Sequence, residues 1–187
     1  MNELIELDKE IFLFLNHLGS ASFDRFWVLM SEKWTWIPLY LVFFLILFKN
    51  FKFKFLIYIL IFIGLGLVIS DQLAGIFKNG IQRFRPCHDL GLKGLVREVK
   101  CGGQFGFYSA HASNVFFIAT FMTQMLKERF GLFPYFLFFW ASVVAFSRIY
   151  LGVHFPLDIL MGAAVGFLLG GFFAALSWKV INKQKEK

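Results

Sequence analysis

Long apolar blocks separated by short charged breaks dominate the chain, and they predict five helices that cross a bilayer. The first ends near Phe48 and begins between Trp27 and Trp34, where Glu32 and Lys33 interrupt the apolar run and Trp34 and Trp36 resemble interfacial anchors. The second covers residues 55–77, the third 112–126, the fourth 132–146 and the fifth 156–178. The third and fourth are short, so their helices are expected to extend into the interface. In the fifth, Gly162, Gly166 and Gly170 recur every four residues, a spacing that lets two helix backbones approach closely. Ahead of these blocks, Leu4, Ile5, Leu7, Ile11, Phe12, Phe14, Leu15 and Leu18 fall mostly at helical spacing among Glu3, Glu6, Asp8 and Glu10. That pattern predicts an amphipathic helix, either lying on the membrane surface or packed on the bundle; read instead as a span, it would make six. Its acids, and the lack of a small-residue cleavage site, set it apart from a cleaved signal.

Composition turns this pattern into a fold class. The 187 residues are 58% hydrophobic and include 28 Phe, and mean hydropathy is +0.67. A soluble domain carries about 45–50% apolar residues. The surplus is accommodated only if much of it faces lipid. The expectation is an all-α integral membrane helical bundle, organised as one domain over residues 1–187, with bilayer lipids around it. No nucleic-acid partner and no obligate protein partner is expected.

Charge assigns the sides. Five crossings put Lys49, Lys52, Lys54, Lys127, Arg129, Lys179, Lys183, Lys185 and Lys187 on one side, where only Glu128 and Glu186 offset them. On the other side positive and negative residues balance. The basic side is expected in the cytoplasm. Cys87 and Cys101 share the long loop on the opposite side, where an oxidising compartment would bridge them; the other state is two free thiols. His88 stands next to Cys87, but no further Cys or His pattern completes a zinc site.

Three polar groups interrupt the edges of the apolar blocks: 78–86, containing Lys78, Arg85 and Pro86; Tyr108, Ser109, Ala110 and His111; and Ser147 and Arg148 with His154 and Asp158. An even number of crossings separates them, so all three lie at one face. Lys78, Arg85 and Arg148 offer charge and bidentate donors suited to phosphate oxygens. Ser109 and the amides beside it open a helix, an end that favours anions. Imidazole supplies a nucleophile or a proton carrier near neutral pH. Asp158 follows His154 by four residues, so a helical first turn started by Pro156 brings its carboxylate back to that ring, unless Asp158 is only a helix-start acid. His111 is then placed to protonate a leaving oxygen. His17 and His88 are read as structural.

The three groups, written Lys-x6-Arg-Pro, Ser-x-His and Ser-Arg-x5-His-x3-Asp, resemble the motifs of the type 2 phosphatidic acid phosphatase (PAP2) family over residues 71–164. The resemblance implies a membrane lipid phosphatase in which His154 is the nucleophile that becomes a phosphohistidine and Asp158 orients it. His111 would be the acid and then the base. Lys78, Arg85, Ser109, Ala110 and Arg148 would hold the phosphate. It implies no metal and no cofactor. Two positions depart from the family's usual Pro-Ser-Gly-His: Tyr108 lacks the fixed φ of proline, and Ala110 keeps a backbone donor but not the close approach of glycine. The substrates this implies are lipid phosphates or diphosphates of the undecaprenyl diphosphate, phosphatidylglycerophosphate or phosphatidic acid type. They would be hydrolysed at the extracytoplasmic face of a bacterial inner membrane. Lipid A dephosphorylation, phosphoryl transfer between lipids and non-catalytic phospholipid binding or transport are the alternatives.

Overall fold

A computed structural model describes residues 2–126 and 131–185; the charged residues Lys127, Glu128, Arg129, Glu186 and Lys187 lie outside it. The described residues form seven α-helices: α1 (Asn2–His17), α2 (Ala21–Ser31), α3 (Ile37–Asn50), α4 (Phe53–Ile81), α5 (Ala110–Leu126), α6 (Phe133–Tyr150) and α7 (Pro156–Lys185). The bundle is all-helical, as the apolar blocks predict. Helices α4, α6 and α7 are each long and apolar enough to cross a membrane alone, and α5 has 17 described residues.

The uncertain start of the first block has a structural counterpart. The α2 helix and the segment Lys33–Asn50 together pass the same length and apolarity test but are bent by 65° at Glu32. A single 3-10 turn, Lys33–Trp36, carries the bend into α3, where Pro38 sits at the helix start. Trp34 is exposed there, whereas Trp36 turns inward, donates Nε1–H to Met30 O at 2.9 Å and meets Trp140 edge-on.

The core of the bundle is the pairing of α5 with α7. A Cβ built on Gly162, Gly166 or Gly170 would run into the carbonyl oxygens of Ser109, Ser113 and Phe117, respectively. The two helices thus run parallel, in register at steps of four residues, with backbone against backbone. Phe117, Phe121, Phe173 and Ala174 close the apolar interior below.

The N-terminal helix reconciles both expectations made for it. Its exposed residues Leu4, Leu7, Ile11, Phe14 and Leu18 form one apolar stripe at spacings of three and four. The opposite stripe, Asp8, Phe12 and Asn16, is buried against the bundle. The helix is therefore docked on protein through a mixed face, with Phe12, Leu13 and Leu15 packed into the bundle beside Asp8 and Asn16, and presents a second, apolar stripe outward, as a membrane-surface helix does.

Candidate active site

Each polar group is placed by the way its helix ends. The α4 helix stops where Gln82 adopts a left-handed backbone (φ 53°) and its N–H closes on Lys78 O at 3.0 Å, which keeps Lys78 in the last turn. The chain then runs extended beside the far arm of the long loop: Arg85 N–H donates to Gln104 O at 3.1 Å and Gly106 N–H to Arg83 O at 2.8 Å. A disulfide between Cys87 and Cys101, with Cα atoms 5.9 Å apart, closes the loop beyond this pairing. Of the described residues, Cys87, His88 and Cys101 are the one group spaced to hold a metal ion. Their two sulfurs are bonded to each other, which removes the thiolates such a site needs.

The α6 end builds the second part. Gly152 takes φ +82°, and the N–H groups of Val153 and His154 both return to Arg148 O, at 3.1 and 3.3 Å. This fold-back fixes His154 directly over the turn that carries Arg148. Pro156 starts α7, and Asp158 one turn in accepts the Phe155 N–H at 3.1 Å through Oδ2. The same oxygen lies 3.2 Å from His154 Nδ1. One carboxylate oxygen thus both caps the first turn of α7 and contacts the His154 ring. Gly106 lies against this pair; a Cβ there would fall 2.9 Å from Asp158 Oδ2.

Lys78, Arg85, Ala110, His111, Arg148 and His154 converge on a single cavity of about 670 Å³. Arg148 donates to Ser31 Oγ, and its Nε is buried without a protein partner. Burial, reinforced by the positive charges of Arg85, Arg148 and Lys78, holds the His154 pKa well below the usual histidine value, so the ring is neutral around pH 7. With Nδ1 turned to Asp158, Nε2 is the nitrogen left free. Ser109 stands one layer behind. It is fully buried, its hydroxyl lies 3.4 Å from Ala112 N and its own N–H goes to Asp158 O at 3.0 Å. It ties the start of α5 to the start of α7, while Ala110 and His111 face the cavity with the unpaired amides of a helix N-terminus. Below the polar end, the cavity continues between Tyr40, Phe43 and Leu47 of α3, Leu60 and Leu67 of α4, and Val115 and Met122 of α5.

Two residues without a role in the sequence reading complete the site. Arg83 donates to Asp158 Oδ1 at 3.0 Å and to Asp8 Oδ2 at 2.5 Å, with its guanidinium 4.3 Å from the centre of the Phe155 ring. Asp8 Oδ1 in turn accepts the Leu157 N–H at 2.9 Å. Burial raises the Asp8 pKa, against the lowering effect of Arg83. The one available signal was an acid, Asp8, at four-residue spacing with Phe12 and Asn16. Asn16 serves the same docking: its side-chain amide donates to the carbonyls of Arg97, Ile149 and Tyr150, and its Oδ1 accepts from Arg97 N–H. His17 and His88 hold loop carbonyls, Leu95 O at 2.6 Å and Gly102 O at 3.0 Å, and stand outside the cavity.

Residues 56–182 match the PAP2 superfamily. The lipid A 4'-phosphatase of Porphyromonas gingivalis is 34% identical over 175 residues, which cover 92% of this chain and 73% of that protein. Among solved structures, Aquifex aeolicus LpxE superposes with a TM-score of 0.67 at 25% identity, covering 92% of this chain and 95% of that one. The transmembrane PAP2 type phosphatidylglycerolphosphate phosphatase from Bacillus subtilis has the same fold, with a TM-score of 0.76 at 20% identity over 96% of this chain and 89% of its own.

Proposed function

Because this chain belongs to the PAP2 superfamily, and is accordingly a membrane lipid phosphatase, we propose that it removes a phosphomonoester from a lipid A-type glycolipid. The reaction would proceed through a phosphohistidine, without a metal, at the extracytoplasmic face. The observation that carries the reading is His154, with Asp158 on its Nδ1, in a cavity lined by Lys78, Arg85 and Arg148 that continues into an apolar groove. In this scheme the Nε2 lone pair of His154 forms the P–N bond as the P–O bond to the lipid breaks. With the bound phosphate anion beside it, His111 carries a proton and gives it to the departing oxygen. His111 then takes a proton from water as the water oxygen displaces Nε2 from phosphorus. The three cations, with the amides at the start of α5, stabilise the charge that spreads over the equatorial oxygens.

Lipid A moves ahead of undecaprenyl diphosphate, phosphatidylglycerophosphate and phosphatidic acid because relatives matched over most of both chains carry that activity in their names. The face is supported by Lys49, Lys52, Lys54, Lys179, Lys183 and Lys185 at the opposite end of the bundle, where Lys54 Nζ reaches Gln184 at 2.7 Å. The disulfide suits the same oxidising side.

The test is phosphate release by purified protein in detergent from a panel of lipid A 4'-phosphate, undecaprenyl diphosphate, phosphatidylglycerophosphate and phosphatidic acid, with and without chelator. We expect lipid A 4'-phosphate to be turned over fastest and the rate to survive chelation. Release from none of the four, or a loss on chelation that added metal restores, would refute the reading.

A pH profile probes the nucleophile. Because the His154 pKa is lowered, the acid limb of kcat/KM is expected below the ordinary value of about 6.5. Arg85→Gln removes one of the charges that oppose protonation, so the limb should move to higher pH alongside weaker binding. A limb at the ordinary value in the wild type, unmoved by this change, would contradict a buried neutral nucleophile.

A further inference from the structure

The cavity contains an acidic residue that a phosphate cradle does not call for. Asp71 lines it from α4, seven residues and so about 10 Å before Lys78 along the helix, on the membrane side of the phosphate-holding end. A carboxylate at that depth is expensive and repels an incoming phosphate unless it has a task. It is also deliberately held. Asn114, one turn below His111 on α5, donates Nδ2–H to Asp71 Oδ1 at 2.9 Å. The amide is fixed in that orientation because its Oδ1 accepts from Ser70 Oγ at 2.7 Å, and Ser70, fully buried, bonds to Ser113 Oγ at 2.7 Å. The donors in this ladder are passed in one direction, from Ser113 through Ser70 and Asn114, and end on a carboxylate that can only accept. No Lys or Arg pairs with Asp71 among the described residues. Glu32, the other acid of the cavity, is taken up by Lys100.

We infer that Asp71, held by Asn114 and Ser70, is a specificity-determining residue that accepts a hydrogen bond from an amide N–H or hydroxyl at the root of the substrate's chains. This inference rests on the lipid-phosphatase reading and deepens it. The phosphate is placed at Lys78, Arg85 and Arg148, and Asp71 stands two helical turns nearer the membrane, so the group it meets lies further along the lipid, where head group gives way to chain. Lipids whose chain roots carry only esters or hydrocarbon offer no donor there and leave the carboxylate facing an acceptor or bare carbon. Lipids with an amide or hydroxyl at that point satisfy it. A site built to bond a donor discriminates against the analogue that lacks it.

Two phosphomonoester probes of similar chain length separate on this feature: ceramide 1-phosphate, which carries an amide N–H and a hydroxyl, and phosphatidic acid, which carries neither. The measured quantity is the ratio of their kcat/KM values in the wild type, Asp71→Ala and Asp71→Asn. Each variant is its own control, because the fraction of folded enzyme cancels in the ratio. We expect the wild type to prefer ceramide 1-phosphate by about tenfold or more, the scale of one charge-assisted hydrogen bond, and Asp71→Ala to bring the ratio within about threefold of one. Asp71→Asn should fall between, keeping the shape but losing the charge. A wild-type ratio near one, or a preference that survives Asp71→Ala, overturns the inference while leaving the phosphatase reading intact. Release of phosphate from neither probe, nor from any lipid of the panel, removes both.

Discussion

Replacing His154 with Ala should reduce phosphate release by about a thousandfold or more, the scale seen when a covalent nucleophile is removed. The ring has no substitute in the cavity. The cavity's other histidine, His111, sits on α5 and has no carboxylate partner among the described residues, whereas His154 has Asp158 Oδ2 on Nδ1. Lipid binding should survive, because Lys78, Arg85 and Arg148 are untouched. Loss of turnover with retained binding is the signature that separates an enzyme from a phospholipid binder or transporter. A brief pulse with phosphate-labelled lipid should leave acid-labile, base-stable label on the wild type and none on His154→Ala. Label that persists in the variant, or its absence from rapidly quenched wild type, would require a different nucleophile.

The second large effect is expected at Arg83. Its guanidinium is the one group that satisfies both Asp8, 3% exposed, and Asp158, fully buried. Arg83→Leu leaves two carboxylates facing each other out of water, and breaking a buried ion pair from one side costs about 3–5 kcal/mol. Part of that cost appears as a lowered melting temperature in detergent. The rest appears in catalysis, because Asp158 released from Arg83 no longer holds the His154 ring in one orientation. Arg83→Lys should recover only part of either, since an ammonium cannot span both acids with a rigid fork. Adding Asp8→Asn to Arg83→Leu should restore some stability but not the turnover, because Asp158 still lacks its partner. A melting temperature and a kcat both unchanged in Arg83→Leu would show that the bridge carries no energy.

How much of this was legible in the sequence depended on what lipid does to hydrophobic patterns. The apolar blocks located α4, α5 and α6 to within a few residues, since a bilayer demands continuous length and leaves little choice, while the first block is split by the bend at Glu32 and α7 runs past its expected end to Lys185. The co-sidedness of Lys78, Arg85, His111, Arg148 and His154 followed from counting crossings, and the structure gathers all five in one cavity. Three details did not follow. In water an apolar stripe marks the buried face, but at a membrane surface it can mark the outward one; the stripe Leu4, Leu7, Ile11 and Phe14 of α1 therefore gave no sign of the contacts that Asp8 and Asn16 make on either side of Phe12. Arg83 lay inside the first motif, yet only tertiary structure shows that the chain folds back at Gln82 and presents it to α1 and α7. Ser109 had the residue type of a phosphate ligand, but nothing in the pattern showed that its backbone N–H would tie the start of α5 to the start of α7.

That connector, with the glycine register below it, divides the molecule into a part that is fixed and a part that is open to change. Contacts of backbone on backbone at Gly162, Gly166 and Gly170 leave α5 and α7 no slack to slide, so the heights of His111 and His154 are set together, like two jaws cast in one piece. The wall formed by Tyr40, Phe43 and Leu47 belongs to α3, which takes no part in that register. Exchanging side chains along this wall alters which hydrocarbon tails fit without disturbing the reacting end. The same chemistry can thus be handed from one lipid to another by mutations in a single peripheral helix.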